Sequence, residues 1–194
     1  MLSRARAGDQ QELGRLFEAC RSYLSVMARA QMENWMQAKV DASDIVQDTL
    51  LEAHRDFSRF QGATAAEWLA WLRGILTNNA ADVVRKFRGT EKRQTRREVS
   101  IRSRGDDSST GGVLELADSI ETPSVQIMRK ERELQVADAI LQLDADYQRV
   151  IILRNLQRLP FDQVAEQMGR SRPAVQMLWM RAIRKLQEAL ATND

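Results

Sequence analysis

"LPFDQVAEQMGRSRPAVQMLWMRAIRKL", residues 159–186, reads as two helices about one tight corner. Val164, Ala165 and Met168 recur at helical spacing on a short helix from Phe161 to Met168. Gly169-Arg170-Ser171 then breaks the pattern, and a longer helix runs to about Leu190. On it Val175, Leu178 or Trp179, and Ala182 face the first helix. Ser171 is available as the N-cap, and Pro173 is tolerated in the first helical turn. This is helix-turn-helix spacing, in which the second helix enters a major groove and its N-terminal residues meet base edges. Arg170, Arg172, Arg181, Arg184 and Lys185 supply phosphate contacts. Any helical hairpin with a glycine corner imitates the motif, so a purely structural pair of helices stays open at this point.

The remainder of the chain is also helical in pattern. Its 194 residues fit one large or two small domains, 43% are hydrophobic, and Gly 9 with Pro 3 suit helices better than strands and turns. Cys20 is the single cysteine, which excludes an internal disulfide and fits a reducing compartment. It falls on the apolar stripe Leu13, Leu16, Phe17, Cys20, Leu24 and Met27, as a buried thiol. No stretch approaches a membrane span and the N-terminus carries no signal-peptide run, so a cytoplasmic protein without membrane insertion is expected.

Net charge is only +2, but its distribution is uneven. Residues 85–104 carry a net +7, and residues 105–122 carry five acids without a base. The second of these segments, opening near "SRGDDSSTGG", has no helical periodicity and reads as a linker. The expected organisation is all-α: two small helical domains, 1–90 and 124–194, joined by a flexible linker at 91–123. The C-terminal one is the helix-turn-helix.

Three helices are expected in the N-terminal domain. The first opens at the Asp9 cap with Glu12 three residues on, and runs to about Gln37. The second opens at "DASDIVQDTL", residues 41–50, and runs to about Arg59. Asp41, Asp44, Asp48 and Glu52 share one of its faces, while Ile45 or Val46, Leu50, Ala53 and Phe57 share another. Three readings of the acidic stripe stay open: a solvated face, a divalent-metal site, or a surface for a basic partner. The third helix, "AAEWLAWLRGILTNNAADVVRKFRG", has a core face of Leu69, Leu72, Leu76, Ala80, Val83 and Phe87. A second face, Trp68, Trp71, Ile75, Asn78, Asp82 and Arg85, passes from aromatic to basic. Aromatics beside cations are what a single-stranded nucleic-acid platform needs, although both tryptophans would serve equally to cover the core.

Taken together, "DASDIVQDTLLEAHRDFSRF", "WLRGILTNNAADVVRK" and "LDADYQRVIILRNLQRLPFDQVAEQMGRS…VQMLWMRAIRKL" resemble the extracytoplasmic-function type of bacterial RNA polymerase sigma factor, with its regions two and four. The resemblance implies a promoter-specificity subunit, without catalytic residues, metal or cofactor, that supports DNA melting and transcription initiation. Its implied partners are core RNA polymerase, promoter DNA and an anti-sigma factor or other regulatory protein. It carries polymerase docking over to Asp44, Gln47 and Asp48. It carries −10 recognition, with one flipped base, over to Phe60, Gln61, Gly62 and Asn78, joined by Trp71 and Arg85 of the aromatic-to-basic face. Recognition of the −35 element falls to Ser171, Arg172, Ala174, Val175, Gln176 and Arg181. Gln176 and Leu178 depart from the basic residues often found at those positions in the family. The rivals are an ordinary dimeric helix-turn-helix regulator, which leaves "DASDIVQD" and the tryptophan face unexplained, and a helical metal enzyme using Asp44 and Asp48 on phosphate substrates, which needs a large pocket for which two small modules leave little room.

Overall fold

The computed structural model describes residues 2–32, 36, 39–98 and 123–192, the side chains of 88–98 and 123–130 excepted. Among these residues there is no strand, and no helix is long and apolar enough to cross a membrane. The acidic linker expected at 105–122 lies outside the described residues.

Chain chemistry sets where the helices start. A short helix α1, Leu2–Arg6, precedes α2, Gln10–Gln31. Asp9 caps α2 by accepting from the backbone N–H of Gln11 and Glu12, both at 3.1 Å, which satisfies two of the four orphan donors of a helix start. Asp41 does the same for α3, Ala42–Asp56, accepting from Ser43 N at 2.9 Å. Those backbone bonds hold both carboxyls below the usual aspartate range. A single 3-10 turn, Phe57–Arg59, ends this segment, so the α-helix stops short of the expected Arg59. Likewise α2 ends at Gln31 rather than near Gln37, and Met32 and Met36 are buried from non-helical backbone.

Helix α4, Ala65–Glu98, is longer than its apolar pattern predicts. It carries the basic run through Arg97, so the expected linker boundary at 91 falls inside a helix. Helices α2, α3 and α4 pack around Leu24, Ile45, Trp68, Leu69, Leu72 and Leu76, all buried. Trp68 is therefore core, as is Ile75, and the second face expected of α4 begins at Trp71. Polar ties set the register inside this bundle. Asn79 Nδ2 donates to Thr49 Oγ1 at 3.3 Å, and Gln31 Nε2 donates to Thr77 Oγ1 at 3.2 Å.

The second module runs through α5, Pro123–Leu141, α6, Ala145–Ile151, α7, Phe161–Met168, and α8, Arg172–Thr192. After α6 the chain widens into a π turn, Ile152–Leu156, where Gln157 N–H reaches Ile152 O at 2.9 Å. Arg158 follows in the left-handed region at φ 57°, and Pro160 precedes α7. The helix-turn-helix forms as read: Val164, Ala165, Val175 and Ala182 are buried together. Gly169 makes the corner at φ 62°, the backbone region where a side chain is strained.

The modules do not stand apart. α5 packs along α2 and touches α4, and the buried residues of both modules form one continuous cluster.

Candidate polymerase and nucleic-acid interfaces

Helix α3 is split by its own sequence. Ile45, Val46, Thr49 and Ala53 are buried against the bundle, which turns Asp44, Gln47 and Asp48 outward, all exposed. Thr49, though polar, is satisfied inside the helix by Ile45 O at 2.7 Å. The outward face includes Leu51, 62% exposed and one turn from Asp48. A large apolar side chain thus stands in water beside two carboxylates and an amide. Sequence reading missed Leu51, although its place on the acidic side of the helix was legible in the period. Among the described residues no cluster of His, Cys, Asp or Glu is arranged to hold a metal ion.

The loop at residues 60–64 sits on an aromatic cluster. Trp68 is its centre, with the rings of Phe17, Phe57, Phe60 and Trp71 at 5.3, 5.7, 5.3 and 5.3 Å between centroids. Phe60 also lies 5.1 Å from Trp71 and is only 8% exposed. It therefore shapes the floor of the loop, while Gln61 is exposed at the tip and Gly62 is half-buried. A Cβ on Gly62 would fall 2.5 Å from the Phe60 ring and 2.7 Å from Glu67 Cβ, so this approach admits only glycine. Glu67 folds back on the loop and accepts from Ala63 N at 2.8 Å, Thr64 N at 2.9 Å and Thr64 Oγ1 at 2.9 Å. Thr64 Oγ1 in turn accepts from Glu67 N at 3.2 Å, a reciprocal cap on α4. The Thr64 backbone bond is the main cause holding the Glu67 carboxyl below the usual range, so it stays ionised.

Beyond the loop, Trp71 is half-buried and Asn78 is exposed about two turns further along α4. Arg85 is exposed and paired with Asp82 one turn back. The structure thus brings Phe60 and Trp71 into contact and spaces Asn78 and Arg85 along the same helix.

On α8, Ser171 accepts from Ala174 N at 3.4 Å, a long cap that leaves Ser171, Arg172 and Ala174 exposed at the helix start. Arg172 is 3.4 Å from Asp162, and Arg170 pairs with Asp146 at 2.5 Å. Arg181 is exposed and Gln176 is half-buried. Val175 has no exposure at all: it belongs to the core that holds α8 on α7, so its role in base contact is corrected to support. Met177 and Met180, 48% and 50% exposed, occupy the outer face instead, and sequence reading missed both. Leu178 is half-buried and packs on the core. Trp179 braces the helix, with Nε1 donating to Asn155 Oδ1 at 2.9 Å and its ring 5.7 Å from Phe161.

Residues 16–90 match the family model for sigma-70 region 2, and residues 133–186 match that for sigma-70 region 4. The chain is 28% identical over 192 residues to the "ECF RNA polymerase sigma factor BldN" of Streptomyces coelicolor, covering 98% of this chain and 64% of that protein. It is 27% identical over 126 residues to the "ECF RNA polymerase sigma-E factor" of Haemophilus influenzae, covering 65% of this chain and 62% of that protein. Thus the match spans less than two thirds of the length of either relative. Among solved structures, the RsbN-BldN complex aligns over 97% of this chain and 98% of that chain, at 22% identity and a TM-score of 0.34. With both regions matched in order over the two helical modules, this chain belongs to the sigma-70 family, carrying its regions 2 and 4.

Proposed function

We propose that the chain is a promoter-specificity subunit of the extracytoplasmic-function type, acting in the cytoplasm and having no catalytic residues of its own. It docks on core RNA polymerase through Asp44, Gln47 and Asp48, with Leu51 as the apolar part of the same face. The −10 element is read as melted single strand by the loop of Phe60, Gln61 and Gly62 with Trp71, Asn78 and Arg85. The −35 element is read as duplex by α8, through Ser171, Arg172, Ala174, Gln176 and Arg181, with Met177 replacing Val175 in that set. Phosphates contribute affinity through the arginines, and base edges contribute specificity. Unstacking one base costs a few kcal/mol, which a preformed loop offsets only for the base it fits. Core polymerase and promoter DNA are the proposed partners, together with an anti-sigma factor or other regulatory protein.

The observation that carries the reading is the coexistence of three separate outward faces on one helical chain: acidic with Leu51, aromatic-to-basic, and basic around a helix-turn-helix. A dimeric regulator needs only the third. The test is affinity capture of purified core polymerase by the chain, followed by transcription from a genomic-fragment library. Retention of core together with initiation at discrete sites is expected. Tight promoter binding by the chain alone, without retention of core, would return it to the simple regulators.

A further inference from the structure

We infer that Arg6 is the positioning residue of the 60–64 loop, holding it in shape before any nucleic acid arrives; the inference rests on the proposal that this loop reads the −10 element. Arg6 Nη2 donates to the carbonyl of Phe60 at 3.1 Å and to that of Gly62, across 54 and 56 positions of sequence. Its guanidinium carbon also lies 5.3 Å from the centroid of the Phe60 ring. Glu67 grips the same loop from the other end through the amides of Ala63 and Thr64. A cation thus gathers the loop's carbonyls and an anion gathers its amides.

Those bonds fix the backbone that presents Gln61. A loop ordered in advance avoids the entropic cost of ordering on binding, and its selectivity depends on keeping one shape. Arg6 suits this role because Nη2 carries two N–H groups in the guanidinium plane, one for each carbonyl, while the guanidinium itself lies over the Phe60 ring. Helix α1 does not depend on Arg6 for its place. Ala5 is buried, Leu2 packs on the core, and Arg4 bonds Asp9 at 2.9 Å with Glu12 at 3.6 Å. Removal of the Arg6 side chain therefore frees the loop and leaves the helix docked.

The experiment uses the full chain assembled with core polymerase, challenged with single-stranded oligonucleotides randomised over a short window. Wild type should enrich one motif. Arg6→Ala should melt at an unchanged temperature and bind core equally well, yet lose at least about tenfold in affinity for the enriched oligonucleotide, with base preference flattened at one position. Arg4→Ala, on the same helix but not bonded to the loop, should behave as wild type, and Gly62→Ala should reproduce the Arg6→Ala defect by displacing the Phe60 ring. Unchanged preference in Arg6→Ala overturns the inference while the reading of the loop stands. A uniform loss across all sequences, with a salt slope lower by about one and preference intact, also overturns it, since Arg6 would then be a phosphate contact. If wild-type holoenzyme enriches no single-stranded motif, the reading of the loop fails, and the inference with it.

Discussion

The side-chain amide of Gln157 donates to the carbonyl of Ala30 at 3.0 Å, joining residues 127 positions apart across the two modules. Gln157 also reaches Met32 O at 3.3 Å, so the second module satisfies carbonyls that the end of α2 leaves without helical partners. Arg29 extends the contact to Gln148 Oε1, and Gln148 bonds the carbonyls of Leu141 and Leu143. Elements named −10 and −35 lie about 25 base pairs apart, roughly 85 Å of duplex at about 3.4 Å per pair. On the proposed reading one module meets each element, and the interface is then expected to open on the promoter. Gln157→Ala should weaken the packed form by about 1 kcal/mol per lost bond. Fluorophores at Glu18→Cys and Gln187→Cys, both exposed and outside the proposed binding faces, in a Cys20→Ser background, should show lower transfer efficiency in Gln157→Ala and lower still with polymerase. Equal efficiency in all three states would contradict the expected opening.

Asp48 is exposed on the polar side of α3, away from the core that Ile45, Val46 and Ala53 build. Asp48→Arg should abolish binding to core polymerase while changing folding stability by less than about 0.5 kcal/mol, the usual range for surface substitutions. Leu51→Asp should weaken the same binding with equally little effect on melting. Parallel loss of stability and binding, read by calorimetry beside a binding titration, would mark both as structural residues.

Trp68 Nε1 donates to Cys20 Sγ at 3.3 Å inside the N-terminal core. Burial pushes the Cys20 thiol up from 9.0 to about 11, against a smaller opposing effect of the Trp68 bond, and burial likewise raises Tyr23. The folded thiol stays neutral where the unfolded one ionises. Its stabilising contribution is therefore complete below pH 9 and lost as pH rises toward 11. Melting temperature should fall over that interval, by up to about 1.4 kcal/mol of stability per pH unit. Cys20→Ala should flatten part of that slope and cost about 1–3 kcal/mol at neutral pH, by leaving the Trp68 N–H without an acceptor. A pH profile identical to wild type would exclude the thiol as its source.

Arg172 and Met177 should divide the work of α8. Arg172 lies 3.4 Å from Asp162, and on the proposed reading it exchanges that carboxylate for a phosphate. Arg172→Ala should weaken duplex binding on every sequence and lower the salt slope by about one. Met177→Ala should instead alter base preference, because an exposed apolar side chain in a groove meets thymine methyl groups. Selection from a duplex library with each variant separates the two, and an unchanged motif with Met177→Ala would remove it from the reading surface.

What the sequence disclosed was what local chemistry enforces. The caps at Asp9 and Asp41 and the corner at Gly169 stand where the residues placed them, because each satisfies or relieves neighbouring backbone. The outward faces of α3 and α8 were legible to within a residue or two, since a 3.6-residue period says which side chains point outward. α1 escaped because "LSRAR" is too short to show a period, and with it went Arg6, whose partners lie more than fifty residues away. The run from Glu91 reads as linker, yet as far as Glu98 it contains no proline to stop a helix, and α4 continues to Glu98. Val175 was misassigned because the first turn of a recognition helix has a buried side as well as a reading side. The joining of the modules through Gln157 has no local signature at all.

The central claim is that this chain confers promoter specificity on core RNA polymerase through α3, and transcription by reconstituted enzyme tests it most directly. Core polymerase is mixed with wild type, with Asp48→Arg or with no added subunit, and transcripts from genomic fragments are mapped by their 5′ ends. The account predicts discrete start sites with wild type alone, a shared upstream pair of motifs among them, and none of these sites with Asp48→Arg. Start sites unchanged by the added chain, or retained in full by Asp48→Arg, would contradict it.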